Sequence, residues 1–157
     1  MKVNLDKTKI IVFRNGGYLR SYEKWYYKGK QVETVKHYNY LGLLISSRLS
    51  WSPAKTNLAS KGVKALFPIQ TVIRKLGGLA LNDAFKLFDS VVVPAICYGS
   101  DIWGFEYSDA IEQVQLKYCT FVLGVISSAN KQVLLGECDI LPLCCVYFKR
   151  IAYWLKI

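Results

Sequence analysis

The sequence predicts an α+β protein in two parts, a small antiparallel β-sheet over residues 1–50 followed by a mainly α-helical bundle over residues 51–157. Three observations predict it. Before Ser47 the apolar residues fall in short aromatic and β-branched runs broken by glycine turns, and after Ser52 they recur at helical spacing. Positive charge is gathered in the first half. Residues 1–75 hold 15 Lys and Arg against 3 Asp and Glu (+12), and residues 76–157 hold 6 against 8 (−2), which together give the chain its +10. Finally, the apolar fraction is 52% and the aromatic fraction 14%, both above the ordinary, so a sizeable core is feasible and part of the surface is expected to lie against more protein.

In chain order, Ile10-Ile11-Val12-Phe13 is an apolar run closed by Arg14-Asn15-Gly16-Gly17 and reads as a strand. Trp25 to Val32 reads as two short strands around a Lys28-Gly29-Lys30 tip. Val35 to Ser46 supplies the next strand, and its apolar part, Tyr38 to Ser46, is expected to be buried and to divide the chain. Ser52 and Pro53 are helix-start signals. The helix they open places Leu58, Gly62, Ala65, Leu66, Ile69, Val72, Ile73 and Leu76 on one face, with Lys61, Lys64 and Lys75 on an adjoining arc. Pro68 should kink or divide it, and Gly77-Gly78 should end it. Asn82 is the expected cap of a second helix bent by Pro94, and Ser108 that of a third ending before Gly124. A fourth after Pro142 groups Leu143, Tyr147, Ile151 and Trp154, with Trp103 and Trp154 expected in the core.

Several function classes are disfavoured. No run reaches about 18 apolar residues, and the N-terminus lacks the apolar stretch of a signal peptide, so the expectation is an intracellular protein with no membrane partner. The five cysteines form no C-x-x-C and lie far from His37, so reduced buried thiols are expected rather than a zinc site. There is no phosphate-binding glycine loop, nucleophile elbow or H-E-x-x-H. The acidic pairs Asp101 with Glu106, Asp109 with Glu112, and Glu137 with Asp139 lie outside the basic half and read as helix caps or surface acids. The chain alone does not look catalytic, and no metal site is expected within it.

A resemblance enters with particular residues. Asn4-Leu5-Asp6-Lys7-Thr8-Lys9 and the apolar run after it resemble a segment that follows the catalytic palm motifs in reverse transcriptases of non-LTR (LINE-type) retrotransposons. Trp25 to Gly29 and Tyr38-x-Tyr40-Leu41-Gly42 are similar to the next block. Leu58 to Phe67 and Leu87 to Gly104 resemble the thumb and post-thumb region, and Gly136-Glu137, Leu141-Pro142-Leu143 and Arg150-x-x-x-Trp154 the block beyond. The likeness covers nearly the whole chain in order. It implies a palm remnant followed by a thumb-like bundle, a fragment of an RNA-directed DNA polymerase whose partners are an RNA/DNA primer–template duplex and the palm and fingers of the parent enzyme.

Residue by residue, the resemblance implies that Lys7 lies near the incoming phosphates with Lys9 beside it. Tyr40, Leu41 and Gly42 would form a primer-grip-like turn, and Lys61, Lys64 and Lys75 would face the duplex. The physical reading agrees, since lysines on a helix neutralise successive phosphates without reading bases. The magnesium-binding Tyr-x-Asp-Asp motif would lie before Met1, so no cofactor and no activity are expected of this chain alone. Cys138-Asp139-Ile140 stands where the family usually has Leu-Gly-Arg. The alternatives are a stand-alone basic helical nucleic-acid-binding module and a decayed element copy without function. A strand beginning at Val3 with no upstream partner would favour the fragment over the stand-alone module.

Overall fold

A computed structural model describes residues 4, 7–20, 22–126 and 128–155. The expected start of a strand at Val3 lies outside the described residues. The chain divides into two compact units, 1–54 and 55–157, and the class is α+β: two small antiparallel sheets, then helices.

In the first unit, β1 (Trp25–Tyr27) pairs with β2 (Lys30–Val32), and β3 (His37–Tyr40) pairs with β4 (Leu43–Ser46). Both hairpins turn through two residues at positive φ, Lys28 and Gly29 (49° and 75°) in one and Leu41 and Gly42 (49° and 86°) in the other. Paired positive φ values match a type I′ turn, whose twist suits the flanking strands. That geometry corrects the expected single strand over Val35–Ser46. Leu41-Gly42 folds the segment back on itself, so Tyr38 pairs with Ile45 and the tip stands in solvent. Ile10–Phe13 forms no antiparallel strand either. Ile10 makes one parallel bridge, donating to the Glu33 carbonyl and accepting from Val35 N–H, each at 2.9 Å, and Arg14 N–H donates to the Ser47 carbonyl at 3.1 Å. The apolar core of this unit is thin: among the described residues only Val32, Leu43 and Ala54 are buried hydrophobics. Paired two-stranded ribbons of this kind are marginal by themselves.

Helix α1 (Ser52–Lys75) begins in the first unit and continues into the second. It runs unbroken through Pro68, which corrects the expected division. Pro68 and Lys64, whose carbonyl loses its helical donor, are both exposed residues, while buried Leu66 and Ile69 hold the helix on either side of Pro68. Gly77 (φ 72°) ends it, with Gly78 N–H reaching the Ile73 carbonyl at 3.0 Å.

The second unit continues with α2 (Leu81–Leu87), a π-helical turn Phe88–Val92, α3 (Val93–Ile96), α4 (Ser100–Trp103), α5 (Asp109–Leu123), α6 (Lys131–Glu137) and α7 (Leu143–Leu155). Ala80, not Asn82, occupies the cap position of α2, and Asn82 falls inside the first turn. Ser108 does precede α5, but its side chain caps nothing; its buried N–H donates instead to the Tyr147 hydroxyl at 3.2 Å. The wide π turn keeps Phe88 and Val92 inward ahead of Pro94, which has no N–H to return to the previous turn. Phe88 stacks on Tyr118 at 4.9 Å, Phe85 meets the same ring edge-on at 5.4 Å, and the Tyr118 hydroxyl donates to the Ala84 carbonyl at 2.6 Å. Trp103 is fully buried against Tyr147, with ring centroids 5.5 Å apart. Trp154 is not in the core. The inward line of α7 is Leu143, Tyr147 and Ile151, and the turn beyond Ile151 is exposed.

Candidate nucleic-acid interface

The residues expected to touch nucleic acid fall in both units. In the first, Lys7 is exposed, its backbone N–H donates to Asn4 Oδ1 at 3.3 Å, and its carbonyl accepts from the Tyr38 hydroxyl at 3.2 Å. The Lys9 ammonium instead meets Glu33 at 2.5 Å, so this lysine is engaged within the fold. Arg14 binds Glu23 at 2.6 Å, and that hydrogen bond, helped by the Arg20 N–H, holds the Glu23 carboxyl below its usual range. The two described acids of the unit are thus both taken up, while Lys24, Lys28, Lys30, Lys36 and Arg48 are exposed. Tyr40 and Leu41 are 58% and 74% exposed at the tip of the β3–β4 turn, with Gly42 half-buried beside them.

Lys61, Lys64 and Lys75 are all exposed on α1. At about 100° per residue, Lys64 and Lys75 lie within about 20° of one line and roughly 16 Å apart along the axis, with Lys61 one turn before Lys64. The buried side of α1 is Leu58, Gly62, Leu66, Ile69 and Ile73, across the helix from Lys64 and Lys75, with Lys61 about 60° round the axis from Leu58. This narrows the expected apolar stripe, since Val72 and Leu76 are exposed. Lys64 and Lys75 therefore stand on the open face, Lys61 lies at the edge of the packed one as expected, and exposed Phe67 and Pro68 separate Lys64 from Lys75. Lys55 and Arg74 of the same helix make contacts within the second unit. Lys55 is buried and bonded to Glu106 at 3.1 Å, and Arg74 lies over the Phe121 ring at 5.1 Å.

The composition and spacing rules missed two features. The first is Glu112, buried at 1% exposure in α5, which accepts the Cys144 and Leu143 N–H groups at 2.7 and 3.2 Å and so caps α7 from another helix. Burial, only partly offset by these bonds, raises its carboxyl pKa. No local capping pattern could reveal this, because the donors lie more than thirty residues away. The second is an open cleft of about 780 Å³ lined by Asp101 of α4 and by Val146, Lys149, Arg150, Tyr153 and Trp154 of α7. A faint signal existed in the paired aromatics placed a helical turn after Lys149-Arg150.

Among the described residues no group of three or more His, Cys, Asp or Glu is placed to hold a metal ion. Among them, too, no helix is long and apolar enough to cross a membrane. Burial raises the Cys97 thiol pKa to about 11 and that of Cys119 to about 12, and among the cysteines Cys145 is exposed, which corrects the expectation that all five are buried.

With this geometry the chain is a two-unit α+β protein carrying a lysine-bearing long helix. No protein-family model, curated protein or solved structure matches it.

Proposed function

We propose that this chain is the palm-edge and thumb portion of an RNA-directed DNA polymerase of the non-LTR retrotransposon type, acting inside the cell. It contributes grip on a primer–template duplex rather than the chemical step. One observation carries the reading: Lys61 and Lys64 are exposed a turn apart on α1, while the packed side of the helix is anchored by Leu58, Gly62, Leu66 and Ile69. A rigid helix presenting cations at that interval neutralises neighbouring phosphates and displaces their counterions without reading sequence. The thin core of the first unit supports the same reading, because a palm edge is expected to gain stability from the protein body it leans on.

The test is a titration of the chain with an RNA–DNA duplex at several salt concentrations, repeated with Lys61→Glu plus Lys64→Glu. Affinity that falls steeply with salt and weakens in the double variant supports the reading. Binding that is weak, salt-independent and identical in the two proteins removes it. Adding the isolated palm and fingers of such a polymerase separates this reading from the stand-alone module, which would gain nothing from them.

A further inference from the structure

The cleft between α4 and α7 shares no residue with the lysine face of α1, so what it binds is a separate question. Its two rings, Tyr153 and Trp154, are 88% and 69% exposed on the last turn of α7. Large aromatic faces left in water gain free energy from any flat partner that covers them. Arg150 extends one guanidinium nitrogen to the Cys97 carbonyl at 3.0 Å, which fixes the group in place and leaves its other N–H donors for a ligand. Lys149, exposed beside it, adds a second cation, and among the described lining residues Asp101 supplies the single carboxylate.

We propose that this cleft binds an unpaired strand of RNA or DNA, stacking a base on Trp154 and Tyr153 and holding the flanking phosphates with Lys149 and Arg150. Two cations against one carboxylate favour a polyanion, and both rings can serve as a stacking platform that every base fits. A duplex cannot use it, because its bases already stack on one another and present only their edges. Asp101 can accept a hydrogen bond from an N–H on the open Watson–Crick edge of an unpaired base, an amino group of adenine, cytosine or guanine or the ring N–H of uracil, thymine or guanine, so it adds hold without selecting one base. An apolar protein helix fits less well, since it would bury Lys149 and Asp101 without partners. This inference stands apart from the duplex reading, as it uses neither α1 nor the first unit.

The experiment measures fluorescence anisotropy of a short labelled oligoadenylate, and of an RNA–DNA duplex, against the full chain and a Tyr153→Ala plus Trp154→Ala variant. Both rings are exposed, so the variant should fold, and circular dichroism confirms it. The expected result is single-strand affinity reduced by roughly tenfold or more with duplex affinity unchanged. Lys149→Glu should give a smaller loss of the same selectivity, and Lys61→Glu plus Lys64→Glu none. Single-strand binding that survives loss of both rings overturns the proposal, as does equal weakening of both nucleic acids. Light scattering gives one more overturning result: self-association that the variant abolishes while oligonucleotide binding stays the same.

Discussion

The carboxylate of Glu112 accepts the backbone N–H of Cys144 at 2.7 Å, so one buried acid of α5 closes the start of α7. A helix beginning otherwise leaves its first N–H groups to water or to its own cap residue. Here the cap comes from a neighbouring helix, and it makes the docking of α7 onto α5 a condition of the start of α7. Replacing Glu112 by Ala leaves two inward N–H groups without acceptors and should cost about 3 kcal/mol or more, read as a lowered midpoint in urea unfolding.

The same acid sets a pH dependence. Its folded pKa is raised above the ordinary 4.5, chiefly by burial, so the folded chain keeps a proton that the unfolded chain has already released. The contribution to stability is therefore full below about 4.5 and is lost as pH rises through the raised value. The Tm of the native chain, measured relative to Glu112→Gln, should fall from pH 4.5 toward neutrality. A difference that is flat or rises across that window would refute the assignment.

Gly62 tests the packing of α1. A helix interior ordinarily gains about 1 kcal/mol when Gly becomes Ala. At this position the new methyl group would press into Ile96 Cγ2 and lie 3.1 Å from Val114 Cγ1, both branched side chains in the core. Overpacking of that kind costs about 1–3 kcal/mol. Clash should win, and Gly62→Ala should lower the Tm; a rise would mean that Ile96 turns aside freely.

Among the non-glycine residues at positive φ, two sit in turns where glycine or asparagine would be easier. Asp139 (φ 50°) ends α6, with Ile140 N–H reaching the Leu135 carbonyl at 3.1 Å, and Leu41 (φ 49°) forms half of the exposed β3–β4 turn. Asp139→Gly and Leu41→Asn should each stabilise by up to about 1 kcal/mol, seen in chemical denaturation. The second change also replaces an exposed leucine at the proposed primer-grip turn, so it is best read together with duplex affinity.

Thiol reactivity offers a check on the core. At mild alkaline pH the native chain should show a fast reaction with a disulfide reagent at exposed Cys145, while Cys97 and Cys119 should react only on unfolding, being buried and raised to about 11 and about 12. Peptide mapping of the labelled sites reads this directly.

For the duplex, taking one lysine away from a phosphate flattens the dependence of log affinity on log salt by about one unit. Lys61→Glu plus Lys64→Glu should therefore reduce that slope by about two, and Lys9→Glu should change stability through Glu33 more than binding.

Local signals settled a good part of this protein. Apolar periodicity, the Ser52-Pro53 start and the Gly77-Gly78 stop marked α1 to within its observed ends, and Lys28-Gly29 marked the first hairpin tip. These are decided by neighbours in the chain, through backbone sterics and the 3.6-residue period. Tertiary structure decided the rest. Leu41-Gly42 carries the same turn, but among apolar neighbours it read as continuous strand until pairing of Tyr38 with Ile45 fixed it. Whether Lys9 or Lys64 was available, whether Trp103 or Trp154 was covered, and that Glu112 would cap a helix 31 residues on depended on partners distant in sequence. Composition sets how much charge and apolar surface a chain has, and only packing sets which of it water still reaches.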